Sequence, residues 1–179
     1  MNLKQIWKPI LAIALAAAIL IGLSAALRPA AARRELEDRT MIMSYMLQDA
    51  GSFTEEPYTG EDPAIQRVFR GNNGYILEVT VDGYAAPMTL WVAVKDDGYV
   101  TGLTVRDMDE TYGLGREAMF DVDFLLQFLR NTGDAAVGEN VDAMTGATVT
   151  SRAVTKAVNA AVAFVTGADV SSGATEWGG

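Results

Sequence analysis

Seven consecutive residues, Asp142-Ala143-Met144-Thr145-Gly146-Ala147-Thr148, gather the groups in this chain best placed to do chemistry. They run straight into a stretch in which Val154, Val158, Ala161, Val162 and Val165 recur at steps that place them on one face of a helix. That spacing predicts a helix beginning near Thr148, with hydroxyls at Thr148, Thr150 and Ser151 in its first turn. Gly146 and Ala147 are small enough to let a bulky group approach the backbone. A helix start leaves about four backbone amides without intrahelical acceptors and carries roughly half a positive charge, so it readily seats a phosphate. The pattern therefore presents a threonine hydroxyl, Thr148, where an anion would sit. Thr145 and the amides from Gly146 through Ala147, Thr148, Val149 and Thr150 surround the position. The competing reading is a Gly-Ala turn with a helix cap and no ligand.

Composition removes several other chemistries. The chain has no cysteine and no histidine, so it offers no disulfide framework, thiolate cluster, imidazole ligand or imidazole base. Its acids Asp107, Asp109, Glu110, Asp121 and Asp123 match no calcium or magnesium loop spacing, and no metal site is expected. Charge is strongly partitioned. Residues 1–34 hold five basic side chains and no acid, whereas the rest carries nine basic against 23 acidic residues, a net of −14. Such a surface repels the phosphates of nucleic acid, and no nucleic-acid partner is expected.

The elements that must position the turn can be read in order. Ile10 to Leu27 is an uncharged run of 18 residues, long enough for a single membrane span of about 17–25 residues. A cleaved signal peptide, with Ala30-Ala31-Ala32 as small residues, is the competing reading, and the run exceeds the usual core of ~7–15 residues for such peptides. Lys and Arg flank the run on both sides, so charge counting does not fix its orientation. Leu36, Met43 and Leu47 can share the face of a stalk or first domain helix. Gly51 to Asp62 reads as a loop. Tyr75, Leu77, Val79 and Val81, then Met88, Leu90, Val92 and Val94, then Leu103 and Val105, alternate as three strands. With turns at Asp82-Gly83 and Asp96-Asp97-Gly98 they predict an antiparallel meander. Trp91 falls on the face opposite Leu90 and is expected to lie between sheet and helix. Phe120, Phe124, Leu125, Phe128 and Leu129 predict a core-facing helix stopped near Gly133. The fold class expected is α+β, an antiparallel sheet with packed helices, preceded by one N-terminal transmembrane helix.

The heptapeptide fits D-x-x-T-G-A-T, and in this it resembles the flavin-attachment motif of the FMN-binding domain found in the G subunit of the Rnf electron-transport complex. The C subunit of the sodium-pumping NADH:quinone oxidoreductase has a similar domain. The resemblance implies that Asp142 opens the motif and that Thr148 bears covalent FMN through a phosphoester made by a separate flavin transferase. Glu110-Thr111-Tyr112-Gly113-Leu114-Gly115 resembles the family's E-T-P-G-L-G loop, which implies ring contacts from Glu110, Thr111, Leu114 and Gly115. Two glycines one residue apart let backbone approach a flat ring. Tyr112 replaces the family proline, and Ala85-Ala86 replace two glycines of the G-Y-G-G-P turn. Asp169-Val170-Ser171-Ser172-Gly173-Ala174-Thr175 repeats the attachment pattern, but too few residues follow it to build a helix.

On this reading the chain comprises a membrane anchor (1–34), a connecting segment (35–70), an FMN-binding domain (71–167) and a polar tail (168–179). The resemblance implies an electron-relay subunit of an Rnf-type ferredoxin:NAD oxidoreductase coupled to ion transport, with no turnover alone. It further implies other membrane subunits as partners, location in the cell membrane, and a flavin domain outside the cytoplasm. A stand-alone extracytoplasmic flavin carrier and a cofactor-free anchored scaffold remain open, the latter on the Tyr112 and Ala85-Ala86 departures.

Overall fold

The computed structural model describes residues 3–108 and 121–168. The chain divides into two compact units, Met1–Met41 and Ile42–Gly179. The first consists of most of helix α1, Leu3–Met46, which is long and apolar enough to cross a membrane. Its Ile13, Leu15, Ile19, Leu20 and Leu23 project from the helix unburied.

The second unit is built on one antiparallel sheet in strand order β1-β2-β3-β4-β5, with β1 Thr54–Glu56, β2 Ile65–Gly71, β3 Gly74–Asp82, β4 Pro87–Lys95 and β5 Val100–Met108. The meander is thus five-stranded where alternation predicts three. β1 lies in the expected loop, and β1 and β2 both lie in the segment read as a connection. Alternation holds in the central strands. Leu77, Val79 and Val81 with Leu90, Val92 and Val94 face one side, and Ile76, Trp91 and Ala93 the other. Both sides are buried, which explains why few polar residues interrupt β4. The Ala85-Ala86 turn closes through the Gly83 amide on the Ala86 carbonyl at 3.0 Å, and neither alanine takes a positive φ. The local path therefore avoids the left-handed backbone that alanine tolerates poorly.

One face is covered by helix α3, Thr148–Thr166, which packs across β3 and β4. Val154, Val158, Ala161 and Val162 are buried as their spacing predicts, and each buried valine contributes roughly 1.5–3 kcal/mol relative to exposure. Gly167 ends the helix in the left-handed conformation. The other face is covered by the chain around the end of α1, where Met43, Met46, Leu47 and Ala50 pack with Phe69, Ile76 and Trp91. Leu36, expected on the same helix face, is exposed. Trp91 fills the predicted place between sheet and helix. Its indole donates to Glu78 Oε2 at 2.8 Å, and the Arg106 guanidinium lies 4.2 Å from its ring centroid.

Helix α2, Val122–Leu126, is shorter than the aromatic stripe predicts. Asp121 caps it by accepting from the Phe124 amide at 3.0 Å. It then tightens into successive three-residue bonds and stops at Arg130, three residues before Gly133. Phe124 and Phe128 still enter the main core, edge to face at 5.3 Å. Phe120 lies outside the described residues.

Candidate functional site

The Asp142–Thr148 turn is held from three directions. Gln127, just after α2, brackets the backbone of Asp142, since its Oε1 accepts from the Asp142 amide at 2.7 Å and its Nε2 donates to the Asp142 carbonyl at 3.4 Å. Asn159 on α3 exchanges two bonds with the backbone of Ala135, which fixes the approach to the turn. Ser151, fully buried in the first turn of α3, donates to the Ala147 carbonyl at 2.9 Å and accepts from the Met144 amide at 3.3 Å. The Ala147 amide reaches back to the Met144 carbonyl at 3.0 Å, and Gly146 between them sits at φ 79°. A side chain at that φ is strained, so glycine is what lets the turn close.

Against this framework the expected residues separate by exposure. Asp142, Thr145, Gly146, Thr148 and Val149 are open to solvent to differing degrees, whereas Ala147 is buried. Thr148 is the first residue of α3, and Ala147 before it supplies no side-chain cap. The first-turn amides are therefore left for solvent or a ligand. Thr150 is fully buried, and its Oγ1 has no hydrogen-bond partner. Two residues advance a helix by about 200°, so Thr150 faces the core, its backbone buried with it, while Thr148 faces out. Glu110, Thr111, Leu114 and Gly115 lie outside the described residues, as do Tyr112 and Thr175.

These groups fit a phosphate ester chemically. An exposed hydroxyl stands at the first position of a 19-residue helix with no side-chain cap, beside a glycine without bulk. Among the described residues no cluster of acids forms a metal site.

Gln127 is missing from the sequence-based site, and Ser151 enters it only as a first-turn hydroxyl with no role assigned. Ser151 was readable in principle, because it lies three residues before Val154 and seven before Val158 and so shares the buried face. Gln127 carries no such signal. Ser151→Ala is expected to lower stability by about 1 kcal/mol by stranding the Met144 amide, while the Ala147 carbonyl keeps the backbone amide of residue 151 at 2.9 Å. The looser turn should also reduce flavin attachment. Urea unfolding and the modified fraction in intact-protein mass check both, and unchanged values would deny Ser151 its positioning role.

A model of the FMN-binding domain matches residues 83–163, which include all of the turn and most of α3. The G subunit of the proton-translocating ferredoxin:NAD(+) oxidoreductase complex of Clostridium ljungdahlii is 35% identical over 147 residues, covering 77% of each chain. The G subunit of the Na(+)-translocating ferredoxin:NAD(+) oxidoreductase complex of Acetobacterium woodii is 32% identical over 104 residues, 51% of this chain and 50% of its own. The crystal structure of Shewanella oneidensis NqrC superimposes with a TM-score of 0.44 at 20% identity over 65% of each chain. With 77% of the Clostridium protein's length covered at 35% identity, the chain belongs to the family of G subunits of ion-translocating ferredoxin:NAD(+) oxidoreductase complexes and carries that family's FMN-binding domain.

Proposed function

We propose that the chain is a membrane-anchored electron-relay subunit that carries one FMN esterified through its phosphate to Thr148, within an ion-translocating ferredoxin:NAD oxidoreductase. The observation that carries this reading is the exposed Thr148 at the uncapped start of α3, inside the matched FMN-binding domain. When bound, FMN supplies the redox chemistry, and the protein supplies position and electrostatics. Gly146 holds the turn open to a bulky group, Ser151 and Gln127 fix its backbone, and the first-turn amides face the phosphate. Attachment would join the Thr148 hydroxyl oxygen to phosphorus as the hydroxyl loses its proton and the phosphorus its leaving group, so that relative to free FMN and free chain the product would lack one water. No residue need act as an acid or base in electron passage, in keeping with a chain that has no histidine. The α1 helix serves as anchor, the flavin domain lies outside the cytoplasm, and the other membrane subunits are its electron partners.

Co-expression with a flavin transferase tests the reading directly. Intact-protein mass should rise by one FMN less water, and the yellow colour should persist in denaturant. A colourless product, or pigment released by denaturant, would sink the covalent relay.

A further inference from the structure

Cations are scarce in the second unit, and most are already engaged. Arg67 pairs with Glu55 and Glu78, Arg70 pairs with Asp96, and Arg106 lies over Trp91. Lys95, Arg130 and Lys156 differ, since among the described residues none of these side chains has an ion pair or hydrogen bond, and Lys156 stands apart on α3. Lys95 and Arg130 line one cleft of about 260 Å³, formed by the end of α1, the β4–β5 hairpin and the turn after α2. Among the described residues no carboxylate lines it. Of the acids beside lining residues in sequence, Asp96 is used by Arg70 and Asp97 by the Tyr99 amide, while Asp49 next to Gln48 is exposed and outside the lining.

Arg130 stands there in an unfavourable backbone conformation. Its φ is 67°, where glycine or asparagine is at ease and arginine is not. Two backbone bonds hold it so, from the Arg130 amide to the Val100 carbonyl at 2.8 Å and from the Val100 amide to the Asn131 carbonyl at 3.1 Å. The left-handed residue thus stands as part of the cleft wall. Tyr45 and Gln48 add uncharged donors, while Met46, Val100 and Leu129 make the remaining wall apolar.

We propose that this cleft is a second binding site, separate from Thr148, for a phosphate ester with a partly apolar substituent. An arginine fork beside a lysine point charge suits phosphate oxygens. A lone phosphate, about two to three waters in volume, fills only part of the space, which leaves the apolar wall for the ester group. No residue of α3 lines the cleft. A lipid headgroup and a soluble phosphate ester share this chemistry.

The full chain in detergent can be titrated calorimetrically with inorganic phosphate, glycerol 3-phosphate and dihexanoyl phosphatidylglycerol. Saturable binding of at least one ester is expected, weakened about tenfold by Lys95→Gln and by Arg130→Asn and largely kept in Arg130→Lys. Asparagine is chosen because it tolerates the left-handed backbone, so that variant should fold. Tighter binding of the lipid than of glycerol 3-phosphate identifies a headgroup, and equal or weaker binding identifies a soluble ester. Absence of saturable binding by any ester, or affinities in Lys95→Gln and Arg130→Asn within about twofold of the parent, would overturn the proposal.

Discussion

Thr148→Val should yield a chain that folds as the parent does and carries no covalent FMN. Valine and threonine have the same branched shape, so the first turn of α3 loses only the hydroxyl. Thr148 is exposed and caps nothing, so the change in stability should stay within about 0.5 kcal/mol. Failure to gain flavin would then report chemistry and not unfolding. Thr148→Ser keeps an oxygen at the same position and should restore attachment, whereas Thr175→Val should leave it intact. Intact-protein mass after co-expression with a transferase, with a urea curve for each variant, distinguishes these outcomes. A Thr148→Val chain that still gains one FMN would move the ester elsewhere, with Thr175 the first residue to examine.

The α3 stripe and the β3, β4 and β5 alternations are legible in the residues alone because each buries a regular face. β2 defeats alternation because Gln66, Arg67 and Arg70 interrupt its short apolar pair, Val68 and Phe69, and a bulge shifts its register between Ile65 and Arg67. β1 has no apolar signal at all. Its three residues are exposed, and it is held by pairing with β2 and by Glu55, which takes both Arg67 bonds at 2.7 Å. That bonding also holds the Arg67 guanidinium above its ordinary pKa. α2 ends early because bonds to Val100 draw the chain at Arg130 toward β5, a tertiary demand that no local period records. At the site, the motif residues were legible as types and spacing. The side chains that hold them still act through backbone groups remote in sequence, as Gln127 does on Asp142.

Gly74→Ala should cost about 3 kcal/mol or more, enough to threaten folding of a domain with ordinary marginal stability. A Cβ built there would collide with the Val94 carbonyl oxygen and lie 2.8 Å from the Lys95 Cα and 3.1 Å from the Val94 carbonyl carbon. All three are backbone atoms of the paired strand, so no rotamer change relieves the contact. The strands would have to part where Gly74 faces Lys95, next to the Asn72-Asn73 turn. That end is tied by the Asp96 amide on the Asn73 carbonyl at 3.1 Å and by the Arg70–Asp96 pair. β3 and β4 are also the platform on which α3 rests, so parting them removes the support for Thr148 as well. Gly138→Ala makes the contrast, for its φ is 88° but nothing lies within 4 Å of a Cβ there, and the cost should be only the roughly 1–2 kcal/mol of backbone strain. Urea unfolding followed by tryptophan fluorescence should rank Gly74→Ala well below Gly138→Ala, with flavin attachment lost in parallel with folding. A Gly74→Ala chain within about 1 kcal/mol of the parent would mean that the hairpin end yields easily, and the site would then depend on α3 alone and not on the sheet beneath it.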